Sequence, residues 1–227
     1  IKIFLIMDED DEEDLNNHLC KIVMVGQASV GKTCIMIRFM QDKFDPYQKS
    51  TVGASYADKS LKYKINNNEE TVKFMIWDTS GMERYSALTR SFYADAKVAI
   101  LVYDITCKSS FERGKEFWFK EIINNCPNDI ILGLAGNKID LYNQEEVSQD
   151  EAKKFAESNN MIYYGVSALS GVGINDLFNE IGKKYLKKIF KKEKEQSGNN
   201  NSKNHNDIKS VKLDKIGKHK KKTKKCC

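Results

Sequence analysis

The segment CKIVMVGQASVGKTCIMIRFM, residues 20–40, decides the fold of this 227-residue chain. Its first part is a short apolar run that ends in glycine, and its last part spaces apolar residues with the period of a helix. Between them, GQASVGKT at 26–33 fits G-x-x-x-x-G-K-[ST], a pattern that binds phosphate when it lies between a strand and a helix. The segment therefore predicts a β-strand, a phosphate-binding loop and an α-helix, in that order.

The residue types of this loop suit a nucleotide phosphate. Gly26 and Gly31 let the backbone wrap closely enough for its N–H groups, and those at the helix N-terminus, to cradle the phosphates. Lys32 is expected to neutralise the β- and γ-phosphates, and Thr33 to ligate Mg²⁺. The predicted nucleotide-binding residues here are Gly26, Ser29, Val30, Gly31, Lys32, Thr33 and Cys34. The loop does not indicate which base is bound.

Outward from this segment, strand patterns alternate with helical patterns. Strands are predicted at about 70–77 and at 97–105, 129–137 and 161–167, and helices at 109–123, 150–158 and 174–190. This alternation predicts an α/β fold with a mainly parallel sheet and helices on both faces. In such sheets, ligands bind at the carboxyl ends of the strands.

Charge divides the chain into three parts. Residues 1–19 carry one Lys against seven acidic residues, and residues 191–227 carry thirteen Lys against four. The rest, residues 20–190, has a net charge of only +2, which argues against a basic nucleic-acid-binding face on the fold. We interpret 20–190 as one domain between a disordered acidic extension and a disordered basic tail. An inhibitory contact between extension and tail is a second interpretation.

The cysteines indicate a reducing compartment, because Cys20, Cys34, Cys107 and Cys126 are scattered without metal-ligand spacing. The opening IKIFLIM is too short for the apolar region of a signal peptide, and no segment reaches membrane-spanning length. We expect Met7 to be the native initiator, with residues 1–6 upstream of it. Mass spectrometry of the native N-terminus checks this expectation.

GNKID at 136–140 resembles the N-K-x-D motif of the Ras superfamily of small GTPases. The resemblance implies a P-loop G domain with a six-stranded sheet. It also implies that Asp140 binds the guanine N1–H and 2-amino donors, that Asn137 supports base and loop, and that Lys138 packs over the ring. Adenine does not offer those donors in that arrangement, so GTP and GDP are favoured over ATP. An ATP-using P-loop enzyme, in which Asp140 is incidental, is an alternative.

Two further segments resemble parts of a guanine site. SAL at 167–169 resembles the S-A-K loop of the family, which implies that Ser167, Ala168 and Leu169 bind the nucleotide and that the Ala168 N–H meets guanine O6. Leu169 replaces the usual Lys and leaves one side of the base less polar. Phe44 matches the aromatic residue that stacks on guanine, although taken alone it is as readily a core residue.

YQKSTVGASY at 47–56 resembles switch I, and DTSG at 78–81 resembles the D-x-x-G of switch II. The resemblance implies that Thr51 ligates Mg²⁺ and bonds the γ-phosphate. It further implies that Asp78 holds Mg²⁺ through water and that Gly81 offers its N–H to the γ-phosphate. Loss of that phosphate releases both loops and changes the surface that partners recognise.

Met82 follows Gly81, where this superfamily usually has a glutamine that orients the attacking water. Lys32, Thr51, Gly81 and Met82 make up the implied catalytic set. Methionine has no donor and only a weak sulfur acceptor, so we expect intrinsic hydrolysis below the family's ~10⁻⁴ s⁻¹. A Rab-type activating protein supplies an arginine and a glutamine in trans and would restore turnover. A nearly non-hydrolysing, GTP-loaded scaffold is the alternative.

Three stretches of the chain resemble the Rab family of small GTPases: TVKFMIWDTSGMERY, ALTRSFYADA and LVYDIT. A fourth, STVGASY, is similar to the endosomal branch of that family. KKKTKKCC resembles the double-cysteine terminus of Rabs, which implies geranylgeranylation of Cys226 and Cys227; two lipid chains and a Lys run favour durable membrane attachment. Alone, the Lys run would equally fit a solvated or nucleic-acid-binding tail. The resemblance implies a monomeric switch in vesicle traffic on endosomal membranes that cycles with the cytosol. Its implied partners are an exchange factor, an activating protein, effectors and a prenyl-dependent extraction factor.

Overall fold

The computed structural model describes residues 17–65, 68–81 and 91–200, and within them side chains from 18 to 195. The chain divides into two units, Ile1–Phe190 and Lys191–Cys227. The described strands of the first unit are β1 Asn17–Val25, β2 Ala54–Ile65, β3 Asn68–Thr79, β4 Val98–Asp104, β5 Ile131–Asn137 and β6 Ile162–Gly165. They form one sheet in the order β2-β3-β1-β4-β5-β6. Only the β2–β3 pair is antiparallel, which confirms the predicted mainly parallel six-stranded sheet.

Strand β2 has no counterpart among the strands predicted from sequence patterns. It lies at the edge of the sheet and pairs with β3 from Ala54 opposite Thr79 to Ile65 opposite Asn68. An edge strand needs few strongly apolar residues, and in β2 only Tyr63 is buried. The same pairing extends β3 at both ends beyond the predicted 70–77.

The helices follow the predicted alternation and differ from it at two places. They are α1 Lys32–Gln41, α2 Lys108–Arg113, α3 Phe119–Asn125, α4 Gln149–Ser158 and α5 Ile174–Asn200, with a 3₁₀ segment at Ile139–Gln144. A π-helical turn, Gly114–Trp118, interrupts the helix predicted at 109–123. Three consecutive aromatic residues at 117–119 fit either helical register, so periodicity does not reveal the extra residue of the turn.

Helix α5 extends to Asn200, although the sequence pattern predicts a disordered tail from residue 191. Hydrophobic periodicity ends at Phe190, but Lys and Glu are good helix formers and continue the helix through the exposed residues 191–195. Lys191 and Glu195 form an i,i+4 pair, with 3.9 Å between Nζ and Oε1. The prediction of disorder directly after residue 190 is therefore wrong for residues 191–200.

Each face of the sheet carries its own apolar core. On one face, α1 and α5 pack through Phe39 and Phe178, whose rings stack with centroids 3.8 Å apart. On the other face, α2, α4 and the π-helical turn pack through buried residues that include Phe111, Trp118 and Ala152. Helices thus cover both faces and leave the carboxyl ends of the parallel strands open for a ligand.

Cys20, Cys34, Cys107 and Cys126 are free thiols in the described part of the chain. Among the described helices, none combines the length and the apolar character that crossing a membrane requires.

Candidate functional site

A cavity of about 460 Å³ lies at the carboxyl ends of β1, β3 and β5. Its size is within the usual range for small-molecule sites. The predicted residues that line it are Ser29, Gly31, Lys32, Thr33, Cys34, Phe44, Thr51, Gly81, Asn137, Lys138, Asp140, Ala168 and Leu169. Residues far apart in the sequence are therefore brought together as the motifs predict.

The phosphate loop between β1 and α1 depends on two glycines. Gly26 has φ 144° and Gly31 has φ 93°, backbone conformations that favour glycine. A Cβ on Gly26 would lie 2.2 Å from the Val102 carbonyl oxygen, and one on Gly31 would lie 2.2 Å from the Asn137 amide nitrogen. The backbone can take this path only without side chains at these positions.

Lys32 lies at the start of α1 and is only 5% exposed. Its Nζ donates to the carbonyl oxygens of Gly26, at 2.9 Å, and of Gln27, at 3.0 Å. Burial lowers the pKa of Lys32 to about 8, against the opposing attraction of Asp78. A cation so removed from water is strongly stabilised by an anion, and a nucleotide phosphate supplies one.

Asp78 gathers hydroxyl groups from three segments. Its Oδ2 accepts from Thr33 Oγ1 at 2.6 Å, Thr51 Oγ1 at 3.1 Å and Ser55 Oγ at 3.2 Å. The two threonine hydroxyls also lie 2.8 Å apart. Asp78 is fully buried, and burial raises the pKa of its carboxyl, against lowering by the Thr33 hydrogen bond and the Lys32 charge. The predicted metal ligands Thr33, Thr51 and Asp78 therefore meet at one point.

This cluster fits Mg²⁺. The buried Oδ1 of Asp78 has no hydrogen-bond partner within the described residues, and such an oxygen suits a cation or one of its waters. Mg²⁺ is usually held by one or two carboxylates, waters and substrate phosphates, which matches one carboxylate beside two hydroxyls. The part of the chain that the structure describes holds no group of three His, Cys, Asp or Glu side chains that would form a denser metal site.

Asn137 ties the phosphate loop to the segment SAL at 167–169. Its Nδ2 donates to the Val30 carbonyl oxygen at 2.8 Å, and its Oδ1 accepts from the Ala168 backbone N–H at 3.1 Å. Asn137 is buried, as its predicted supporting role requires. The same Ala168 N–H is the group implied to meet guanine O6, so the two acceptors would share it.

The side chains on either side of Ile139 are held by residues outside the motif. Ser167 Oγ donates to Asp140 Oδ1 at 2.5 Å and so orients the carboxylate at the cavity. Lys138 has φ 68°, and its Nζ pairs with Asp104 Oδ2 at 2.5 Å. Ser167 and Asp104 are not themselves among the residues that line the cavity.

The switch segments contact each other and the phosphate loop through backbone atoms. The Ser80 N–H donates to the Gly53 carbonyl oxygen at 2.8 Å. A Cβ on Gly81 would lie 2.3 Å from the Ala28 nitrogen and 2.4 Å from the Gln27 carbonyl carbon. Gly81 is therefore packed directly on the phosphate loop.

Some predicted site residues do not line the cavity, and others lie outside the residues that the structure describes. Gly26 and Val30 contribute carbonyl oxygens to Lys32 and Asn137, and Asp78 is not among the residues that line the cavity. Burial raises the pKa of the Cys34 thiol, and the Asp78 charge raises it further. Met82, Cys226 and Cys227 lie outside the described residues.

Sequence reasoning missed several residues of the site. The further residues that line the cavity are Ala28, Asp45, Pro46, Gln48, Lys49, Ser50, Thr79, Ser80 and Leu141. Ser55 and Asp104 were also missed, although the position of each in the sequence indicated a place near the site. Ser55 lies within the switch I pattern and opposite Asp78 in the β2–β3 register, and Asp104 ends a buried strand.

A phosphate loop, a Thr-Asp-Thr cluster and an N-K-x-D segment around one cavity define a small GTPase of the Ras type. Residues 21–187 match the Ras family. The chain is 42% identical over 167 residues to Ras-related protein Rab-5A of Dictyostelium discoideum, which covers 74% of this chain and 81% of the relative. It is 40% identical over 166 residues to Ras-related protein Rab5A of Oryza sativa subsp. japonica, covering 73% and 79%. The chain belongs to the Ras family, as a Rab GTPase of the early-endosomal type.

Membership carries the general properties of the family to this chain. It is a GTPase that binds GTP and GDP with Mg²⁺ and serves as a switch in endosomal traffic, associated with endosomal membranes. Exchange factors, activating proteins and effectors are its general classes of partner.

Proposed function

We propose that this Rab GTPase hydrolyses GTP slowly by itself and depends on an activating protein that supplies the missing catalytic groups. The observation that carries the proposal is methionine at position 82, directly after a glycine that lines the cavity and packs on the phosphate loop. In the general mechanism, a glutamine at this position orients the attacking water. A thioether has no hydrogen to donate and accepts only weakly, so it cannot hold that water.

The geometry supports the following roles at the phosphate end of the nucleotide. Lys32 and the backbone of the phosphate loop bind the β- and γ-phosphates, and Gly81 N–H faces the γ-phosphate. Thr33 and Thr51 are the proposed Mg²⁺ ligands, with Asp78 acting through a water. When bound, the metal neutralises charge on the phosphate oxygens. The short hydroxyl–carboxylate distances around Asp78 support this assignment, because they place three oxygen groups at one point.

At the other end of the cavity, guanine is the proposed base. Asp140, oriented by Ser167, accepts from N1–H and the 2-amino group. Lys138, anchored by Asp104, packs its stem on one ring face, while Phe44 borders the other side. Ala168 and Leu169 close the rim of the cavity.

Single-turnover hydrolysis of bound GTP tests the proposal. The wild-type rate is expected below ~10⁻⁴ s⁻¹, and Met82→Gln is expected to raise it by about tenfold or more because the amide can orient water. Met82→Leu is the matched control, since it keeps an apolar side chain and should leave the rate unchanged. A Rab-type activating domain should accelerate the wild-type protein strongly.

Two results would contradict this proposal. If the wild type hydrolyses GTP as fast as Met82→Gln without an activating protein, methionine at position 82 does not lower the intrinsic rate. A wild type that stays loaded with GTP in the presence of an active cognate activating protein would favour the alternative, a nearly non-hydrolysing scaffold that recruits effectors and is controlled by exchange or extraction.

The predicted boundary after residue 19 is moved by the structure, because β1 begins at Asn17. We infer an acidic extension that ends before β1, a G domain that continues to residue 190 and a basic tail at 191–227 that anchors the protein to membranes. Geranylgeranyl groups on Cys226 and Cys227 and the Lys-rich sequence before them supply the anchor. The protein works as a monomer without nucleic acid and cycles with the cytosol by means of a prenyl-dependent extraction factor.

Replacing both Cys226 and Cys227 with Ser should move the protein from the membrane fraction to the soluble fraction of cells. Retention on membranes would show that another element anchors it.

A further inference from the structure

We infer that Arg38 is a positioning residue for guanine recognition and acts through the backbone of residues 168–169. Arg38 is not among the residues that line the cavity, and its side chain is only 15% exposed. It lies on α1, 130 residues away from its partner Ala168 in the sequence. The inference rests on the proposed guanine site, because it assigns Arg38 to the base end of that site.

The guanidinium of Arg38 holds two consecutive carbonyl groups. Its Nε donates to the Ala168 carbonyl oxygen at 2.9 Å, and its Nη2 donates to the Leu169 carbonyl oxygen at 2.6 Å. Because the donors belong to one rigid planar group, the two peptide units are fixed relative to each other as well as to the helix. Hydrogen bonds from a charged donor are also stronger than neutral ones.

Asp42 accepts hydrogen bonds from the remaining nitrogen of the same guanidinium, Nη1. Arg38 Nη1 donates to the Asp42 backbone oxygen at 2.9 Å and to its Oδ1 at 3.0 Å. The Asp42 side chain is 91% exposed, so this ion pair contributes little by itself. The Asp42 carbonyl at the end of α1 nevertheless keeps the guanidinium in place without the carboxylate.

The segment 167–169, called the base loop here, is therefore held by hydrogen bonds on two sides. Asn137 accepts from the Ala168 N–H on one side, and Arg38 donates to the carbonyls of Ala168 and Leu169 on the other. The stem of Arg38 is also close to the loop, because a Cβ on Gly171 would lie 3.6 Å from its Cδ. Loss of Arg38 would remove the second brace and leave the first.

Helix α1 thereby links the two ends of the nucleotide site. Lys32 and Thr33 stand in its first turn and Arg38 in its last turns. A ten-residue helix is rigid over this distance, so the phosphate contacts and the base loop share one support. Arg38 would affect how the base is held, while the phosphate contacts at the other end of the helix stay intact.

The test compares the release of GDP with that of 6-thio-GDP, whose sulfur is a poorer acceptor for a backbone N–H than the O6 of guanine. In the wild type, 6-thio-GDP should dissociate faster than GDP. Arg38→Met should accelerate GDP release by roughly tenfold, the scale of losing a charge-assisted hydrogen bond, and 6-thio-GDP release by less. The two rates should therefore converge. Arg38→Lys, which retains the charge and one carbonyl contact, should be intermediate.

Two controls separate base positioning from a general loss of structure. Asp42→Asn removes the exposed carboxylate but leaves both contacts to the loop, so it should keep both rates within about twofold of wild type. The acceleration of GDP release by EDTA should be the same factor in wild type and in Arg38→Met, because the metal site is untouched. If Arg38→Met fails to fold in saturating GDP, Arg38→Lys carries the comparison.

Different results overturn the inference and the proposed function. If Arg38→Met leaves the rates unchanged, or accelerates both nucleotides by the same factor, Arg38 does not position the base loop. If the wild type retains GDP no more tightly than ADP, the proposed guanine site itself is wrong and the inference is lost with it.

Discussion

Replacing Asp140 with Asn is expected to lower the affinity for GDP by about a thousandfold and to make xanthosine diphosphate the preferred ligand. In the proposed site, the carboxylate accepts from two guanine donors, and removing one partner of a buried charge-assisted pair costs about 4 kcal/mol, or about three powers of ten. The amide of Asn would turn a donor towards the guanine 2-amino donor. Xanthine carries a carbonyl oxygen at that position and accepts from the amide.

Competition between GDP and xanthosine diphosphate for the purified protein measures this exchange of specificity. Asp45→Asn is the matched control, because Asp45 also lines the cavity but is exposed. The control should change either affinity by no more than about twofold. If Asp140→Asn keeps its preference for GDP, the carboxylate does not recognise the base, and the role proposed for Asp140 is wrong.

Lys32→Met is the second large change. It is expected to weaken the binding of GDP and of GTP by about a thousandfold, because Lys32 is buried at the phosphate loop and its charge is poorly replaced by water. Methionine has a similar length and no charge, so the loop keeps its packing. Equilibrium binding of a fluorescent GDP analogue, with unfolding followed by circular dichroism, separates lost affinity from lost structure.

Lys49→Met provides the comparison for that experiment. Lys49 lines the same cavity but is exposed, so water screens its charge. We expect its loss to weaken nucleotide binding by about twofold at most. Equal effects of the two substitutions would mean that a diffuse positive potential binds the phosphates, and the specific role of Lys32 would be wrong.

Local patterns predict the phosphate loop well. The glycines, Lys32 and Thr33 lie within eight residues, and this spacing, between a strand pattern and a helix pattern, predicts the turn. Strands β4 and β5 are equally accessible, since each is a nearly continuous apolar run that ends in a polar residue. The sequence therefore contains most of the fold and the phosphate end of the site in short windows.

Contacts set by strand register are not accessible in this way. Ser55 meets Asp78 because β2 pairs with β3 at that position, and β2 is an edge strand with a weak apolar pattern. Asp104 reaches Lys138 because β4 and β5 end together, with Asp104 opposite Asn137. Arg38 and Ala168 are farther apart still in the sequence. No window of the sequence contains both partners of such a contact.

The approach of Gly81 to the phosphate loop has a mechanical consequence. The atoms nearest to a Cβ built on Gly81 are main-chain atoms of Gln27 and Ala28, which have no rotamers with which to absorb a displacement. We expect a shift of the loop at Ala28 to displace Gly81 and, through the hydrogen bond between Ser80 and Gly53, the residue that precedes β2. We therefore expect this part of the molecule to act as a stiff joint, through which a change beside the nucleotide reaches the strand at the edge of the sheet.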